Sequence, residues 1–275
     1  MELFLLSALA RGAVYSLLAL GFVLLQRVFG IWSLAQADLG MIAALLVATL
    51  TLTVGLPLGL GALAGLAIVV VAFLAVSWAP YRRDLVPGAS LLLTIGVALA
   101  ARGLAAATWG DLPLALGLFE VQEPPLAVPP RVAQLGLVVA LGAILIVGLN
   151  LFLRHTAPGR RLRGPPQALL PTRGARSAAL GWAGLLAASA GLLLTTISPL
   201  ETGAGTNALF PALAGVLVGG NGSLRGAVGG SLLVAVWEGS VAVLWPSLAG
   251  FSVLALLLGA LLLMPAGLLG RLPGR

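Results

Sequence analysis

The sequence contains no cysteine, no lysine and a single histidine, and only 8% of its 275 residues are charged. Without cysteine the chain forms no disulfide, and with His155 as its one histidine it lacks the usual ligand sets for zinc, haem and iron–sulfur centres. Without lysine it has neither the phosphate-binding loop G-x-x-x-x-G-K-[ST] nor a Schiff-base lysine. We therefore expect no metal or other cofactor, no catalytic residues, and no ATP hydrolysis by this chain itself.

Apolar residues take the place of the missing charge. Hydrophobic residues make up 60% of the chain and its mean hydropathy is +1.12. One membrane crossing takes about 20 apolar residues, which leaves room for about eight or nine crossings. We predict an all-α, polytopic transmembrane helical bundle that forms a single domain over residues 1–275. The predicted helices lie near 3–25, 31–50, 53–78, 88–108, 132–153, 178–198, 207–220, 226–246 and 249–268.

The seventh apolar run, 207–220, is too short to span a bilayer comfortably. It ends in Gly219-Gly220-Asn221-Gly222, so the pattern indicates a re-entrant or broken helix enclosed by protein. The block Gly219–Gly226 either supplies free backbone amides or carbonyls to a substrate or partner, or forms a tight turn between two helices. Proline-rich stretches at 124–130 and 165–171 predict the two longest loops, because proline disrupts helix interiors.

The net charge of +7 comes from arginines that lie mainly in alternate connections between apolar runs. The positive-inside rule places those connections in the cytoplasm and the N-terminus outside, which explains the charge better than nucleic-acid binding does. The largest basic cluster lies in a predicted cytoplasmic loop at about 154–177. This cluster is either an orientation signal alone or also a docking site for a partner or for anionic membrane lipid.

Two acidic residues, Asp38 and Glu238, lie nearest to membrane-embedded positions. An ionisable group in the membrane is a functional candidate because its burial is expensive, although a capped or paired structural carboxylate is the alternative. Arg102, late in the fourth run, either pairs with an acid, binds a substrate carboxylate or extends to the membrane interface. His155 lies at a helix end, where an interfacial role is typical.

The segment from Gly12 to Leu25, followed by Arg27–Ile31 and Leu34–Asp38, resembles the opening of the branched-chain amino acid ABC transporter permeases, in the first of their two permease types. The resemblance continues in the same order to the end of the chain. The further matches are Pro87–Leu104 with Thr94-Ile95-Gly96, Trp109-Gly110, Arg154-His155-Thr156 with Gly159-Arg160, Gly219–Gly226 with Glu238 after it, and Pro265–Gly270.

This resemblance implies a permease subunit of an ABC importer in the inner membrane of a prokaryotic cell. Its substrates would be branched-chain or other hydrophobic amino acids, or related small amides. It also implies a second permease subunit, two cytoplasmic ATPase subunits that use ATP, and an extracytoplasmic substrate-binding protein. The candidate translocation-path or structural residues are Asp38, Thr94, Gly96, Gly219, Gly220, Gly222 and Glu238, and those of the ATPase-docking loop are Arg154, Gly159, Arg160, Arg161 and Arg163.

Two departures from the family pattern bear on this expectation. The stretch Ser33–Asp38 keeps an acid but is shorter than in the family, and 164–171 is shortened and interrupted by proline where the family has its ATPase-docking helix. The alternative function is a self-sufficient secondary transporter or channel for a small neutral solute, which usually needs intramembrane acids for a coupling ion and often an internal repeat. An intramembrane enzyme and a permease that has lost its coupling are further alternatives.

Overall fold

The computed structural model describes residues 2–82, 87–110, 129–163, 173–199, 203–220, 222–263 and 267. These residues form ten α-helices, with no strand among them. A π-helical segment, Thr49–Thr53, continues the second helix, and a 3₁₀ turn, Pro246–Leu248, precedes the last. The helices are α1 Glu2–Phe29, α2 Ala35–Ala48, α3 Leu58–Arg82, α4 Pro87–Trp109, α5 Pro130–His155, α6 Ala157–Arg163, α7 Arg173–Leu194, α8 Ala204–Gly219, α9 Leu224–Leu244 and α10 Ala249–Leu263.

The prediction of an all-helical membrane bundle is confirmed. Eight helical stretches of the described chain are long and apolar enough to cross a membrane. The seventh predicted run corresponds to α8, which has only 16 residues and contains Pro211. Helix α6, with seven residues, has no apolar run of its own and falls within the predicted loop 154–177. The proline-rich stretch 165–171 and residues 124–128 of the other stretch lie outside the described residues. Pro130, which was predicted to lie in a loop, is instead the first residue of α5, a position that proline favours.

Helix α1 lies at the centre of the bundle. In its membrane-spanning stretch 89% of residues are buried, and it packs against α5, α7, α8 and α9. Gly12 lies directly against Leu232 of α9, and the Ser16 hydroxyl donates to the carbonyls of Gly12 (2.6 Å) and Val228 (3.4 Å). Small residues therefore bring α1 and α9 together, as membrane helices require where lipid provides no hydrophobic drive.

Helices α3, α4, α5 and α10 form the periphery. Only 22% of the residues in the membrane-spanning stretches of α3, α4 and α5 are buried, and only 11% of those in α10. Their outward side chains are apolar, such as Val147 of α5 and Leu262 of α10. An apolar exterior of this kind suits contact with lipid or with another membrane subunit.

Helix α2 begins deep inside the bundle. The sequence predicted a helix from residue 31, but Gly30, with φ of 69°, ends the α1 stretch and the next helix starts only at Ala35. The Gln36 side-chain amide donates to the Leu18 carbonyl at 3.2 Å. Leu18 precedes the end of α1 by 11 residues, which is about 16 Å along a helix. The linker between α1 and α2 therefore folds back into the protein.

Helix α8 also begins in the interior. A side chain at Gly205, in its first turn, would overlap the backbone of Asp38 in α2. The N-terminal ends of two helices therefore meet within the bundle, where protein surrounds the irregular backbone before each of them. This arrangement agrees with the re-entrant or broken helix that the seventh apolar run predicted.

Candidate functional site

Asp38 and Arg102 form a bidentate ion pair between α2 and α4. Arg102 Nε donates to Asp38 Oδ1 at 2.9 Å, and its Nη2 donates to Oδ2 at 3.0 Å. The Asp38 side chain is fully buried, whereas the Arg102 side chain is 33% exposed. The sequence left three roles open for Arg102, and the structure shows that it pairs with an acid. Two parallel N–H···O bonds fix the two helices in both distance and orientation.

The second intramembrane acid, Glu238, faces a polar cavity of about 250 Å³ between α1, α7, α8 and α9. The Tyr15 hydroxyl donates to Glu238 Oε2 at 2.8 Å. The other carboxylate oxygen, Oε1, lies 4.0 Å from Nη1 of Arg11, and the side chains of Arg11 and Glu238 are 38% and 21% exposed. A cation and an anion therefore lie side by side on the cavity wall.

Residues at the end of α7 and in the first turns of α8 also line the cavity. Apolar side chains from this junction, among them Leu194 and Ile197, face the cavity together with Asn207 of α8. The N-cap of α8 is Gly203, which has no side chain to accept a hydrogen bond from the first amides of the helix. The cavity thus combines a charged wall on α1 and α9 with an apolar wall that ends in a helix N-terminus.

Sequence reasoning identified Glu238 but missed Arg11, Tyr15 and Asn207 as its companions at this cavity. A signal for two of them was present, because Arg11 is a charged residue within the first apolar run and Tyr15 follows four residues later. Residues spaced by four lie on the same face of a helix. The interior of α1 therefore presents a polar patch in an otherwise apolar segment.

At the other end of α1, Arg27 joins three parts of the chain. Its Nε donates to the Gly222 carbonyl at 2.7 Å, in the turn between α8 and α9, and its Nη1 donates to the Leu162 carbonyl of α6 at 3.2 Å. The connections that the positive-inside rule assigned to one side of the membrane therefore meet at one end of the bundle. Arg225, near the start of α9, lies at this same end.

Helix α6 presents its basic residues outward. Gly159 and Leu162 are buried, and a side chain at Gly159 would overlap the Phe152 carbonyl of α5. The Gly159 amide donates to the Thr156 hydroxyl at 3.0 Å, which caps the short helix. The three arginines of α6, Arg160, Arg161 and Arg163, are exposed, as is the fourth predicted docking arginine, Arg154, in the last turn of α5.

The glycine block forms a tight turn between α8 and α9. Gly220 and Gly222 adopt φ of 113° and 80°, which side-chain-bearing residues rarely adopt. The backbones of Gly219 and Gly226 touch, so that a side chain on either would overlap the other. The Ser223 hydroxyl accepts from the Gly226 amide at 3.0 Å and caps α9. Of the two predicted roles for this block, the structure shows the close turn.

Thr94 and Gly96, also predicted candidates, lie in α4. The Thr94 hydroxyl donates to the carbonyls of Leu91 (2.9 Å) and Trp32 (3.5 Å), which ties α4 to the linker before α2. Gly96 faces outward with open space around it. Neither residue borders the cavity at Glu238, and a part for them in translocation stays a prediction.

A bundle of membrane-spanning helices with charged side chains beside a cavity between its helices is typical of a membrane transport protein. Residues 4–264 match the family described as branched-chain amino acid transport system, permease component. The chain belongs to this family. No curated protein matches the sequence significantly. The fold is similar to that of PsaBC from Streptococcus pneumoniae in complex with Fab, with a TM-score of 0.50 and 15% identity, covering 95% of this chain and 89% of that one.

Proposed function

We propose that the chain is a permease subunit of an ABC importer that carries branched-chain or other hydrophobic amino acids, or related small amides, across the inner membrane of a prokaryotic cell. The family match over residues 4–264 carries this proposal. The partners would be a second permease subunit, two cytoplasmic ATPases that bind and hydrolyse ATP, and an extracytoplasmic substrate-binding protein. The chain itself would supply a path for the substrate and no catalytic group.

The charges of the bundle support a permease that depends on partners for energy. A secondary transporter usually couples to an ion through an intramembrane acid that is free to bind it. In the described part of the bundle, Asp38 is bound on both oxygens by Arg102, and Glu238 is bound by Tyr15 with Arg11 beside it. Asp38 is thus fully paired and cannot take up a coupling ion, and Glu238 already has a cation beside it, so we assign the energy input to a partner.

Helix α6 is the surface that we assign to the ATPases. Its exposed arginines project from the end of the bundle where Arg27 also lies. Arginine forms bidentate pairs with carboxylates, so an acidic partner surface is the complement that this helix fits. The shortened stretch 164–171 lies outside the described residues. The amphipathic helix α6 directly precedes it in the chain.

The deciding experiment is purification of the chain from its native membranes in mild detergent, with mass spectrometry of the proteins retained in stoichiometric amounts. Retention of two ATPases and a second permease, together with ATP-dependent uptake of leucine by the reconstituted complex, is the expected result. Recovery of the chain alone or only as a self-associated form would overturn the importer and favour the channel or secondary transporter.

We expect the double variant Arg160→Glu/Arg161→Glu to lose the ATPases. The two introduced glutamates would repel an acidic partner surface and weaken binding by several kcal/mol. ATPase retention should therefore fall by about tenfold or more. The measurement is the ratio of ATPase to permease after purification. The matched control is Arg131→Glu, because Arg131 lies at the start of α5, at the opposite end of that helix from α6. Unchanged ATPase retention with altered membrane orientation would show that the cluster serves only as a topology signal.

A further inference from the structure

We propose that the cavity between α1, α7, α8 and α9 is a binding site for the zwitterionic head group of an α-amino acid. Arg11 would bind the carboxylate and Glu238 the ammonium group. This inference rests on the proposed function and extends it, because it assigns the residues that distinguish an amino acid from other small solutes.

The first argument is that both charges have bonding capacity left. Arg11 donates no hydrogen bond within the described part of the chain, and its closest acidic atom is Glu238 Oε1 at 4.0 Å. Glu238 uses only Oε2 for the Tyr15 hydroxyl. A guanidinium carries five N–H donors and a carboxylate about four acceptor positions. Most of these donors and acceptors are therefore available to a solute in the cavity.

The second argument concerns the arrangement of the charges. A cation and an anion side by side form a dipole with no net charge. A solute with a single charge meets one attraction and one repulsion there, whereas a zwitterion lying antiparallel to the pair meets two attractions. Low dielectric surroundings strengthen both contacts, as expected inside a membrane protein. The site thus selects for a zwitterion over an amine or an acid of the same size.

The third argument is that the surroundings of the pair favour the same orientation. The Tyr15 hydroxyl holds the Glu238 carboxylate in place at 2.8 Å. The N-terminal turn of α8 and the Asn207 side chain also line the cavity, and the N-terminus of a helix favours a carboxylate. Both the Arg11 side and the α8 side therefore attract the acidic group of the solute.

The size and lining of the cavity fit a small amino acid. Its volume is about 250 Å³, just below the ~300 Å³ at which pockets for drug-sized ligands begin. Leu194, Ile197 and Ala208 line it together with the charged pair. An apolar side chain can pack on these residues while the head group contacts Arg11 and Glu238.

The absence of native cysteine allows a direct test on the full chain in lipid nanodiscs. A single reporter, Ser198→Cys, lines the cavity, and its labelling rate with a water-soluble thiosulfonate is measured with and without leucine. Ile197→Cys is a second reporter on the same wall, and Thr108→Cys, near the exposed end of α4, is the control outside the cavity.

Leucine is expected to slow labelling at Ser198→Cys and Ile197→Cys but not at Thr108→Cys. Its decarboxylated and deaminated analogues, 3-methylbutylamine and 4-methylpentanoate, should protect much less. Arg11→Gln or Glu238→Gln should each weaken protection by leucine by about tenfold or more, since each removes a charge-assisted hydrogen bond. Arg11→Lys, which keeps the charge, should retain most of the protection by leucine. An unchanged elution profile of each variant in size-exclusion chromatography confirms folding.

Two results would overturn the inference: labelling that leucine does not slow at either reporter, or equal protection by leucine and by the singly charged analogues. Either result, together with normal ATP-dependent leucine uptake by the native complex, would rule out this binding site while leaving the proposed function intact. A native complex that lacks ATPases and takes up no amino acid would instead contradict the proposed function.

Discussion

Replacing Arg102 with methionine is expected to lower the free energy of unfolding by about 3–5 kcal/mol, the range for a buried ion pair that loses one partner. The cause is the fully buried Asp38 carboxylate, which receives both Nε and Nη2 of Arg102 and would keep neither. A lone charge in the membrane interior is costly. The measurement is equilibrium or thermal unfolding of the purified chain in one fixed detergent.

The double variant Asp38→Asn/Arg102→Met separates the charge from the packing. Removing both members of a buried pair is often nearly neutral, so the double variant should recover most of the stability that Arg102→Met loses. Arg131→Met, at the exposed start of α5, should leave stability unchanged. Equal losses in the single and double variants would show that the packing of Arg102, and not its pairing with Asp38, stabilises the bundle.

Gly219→Ala is expected to destabilise the contact between α8 and α9 by about 1–3 kcal/mol or more, the range for overpacked interiors. The added methyl group would overlap the Gly226 carbonyl. Backbone, unlike a flexible side chain, cannot move aside without separating the two helices. Because Arg27 donates to the adjoining turn at Gly222, the same variant should also lower ATP-dependent uptake by the native complex.

Gly229→Ala is the matched control for this prediction. Gly229 lies in α9 with no atom close to the position that a side chain would take. Alanine there should be neutral or stabilising by up to about 1 kcal/mol, the difference in helix propensity between the two residues. Comparable losses in Gly219→Ala and Gly229→Ala would contradict a specific role for the α8–α9 contact.

The sequence predicted the membrane helices well because hydropathy and length decide them. Its main departures come from tertiary packing. Helix α2 starts at Ala35, several residues later than the apolar run, since the linker before it folds into the bundle and the Gln36 amide finds the Leu18 carbonyl. Helix α6 has seven residues, too few for hydropathy to distinguish a helix from a loop.

The candidate site was predicted only in part, for a related reason. Asp38 and Glu238 are conspicuous in the sequence because acids are rare in apolar runs. Their partners lie far away in the chain: Arg102 is 64 residues from Asp38, and Tyr15 is 223 residues from Glu238. Helix packing alone fixes such pairings, so no local spacing reveals them. Arg11 was missed although it is a charged residue within an apolar run with Tyr15 four residues later, because its acidic neighbour, Glu238, is distant in the sequence.

The hydrogen bonds of Arg27 link one end of α1 to two other parts of the chain. Arg27 is held by α6 and by the turn at Gly222, while Arg11 lies 16 residues earlier on the same uninterrupted helix, about 24 Å away. A stiff helix transmits a tilt at one end to the other with little loss. We therefore expect a displacement of α6 that carries Arg27 with it to shift Arg11 relative to Glu238 on α9, so that the distance between these two charges would change with events at the opposite end of α1.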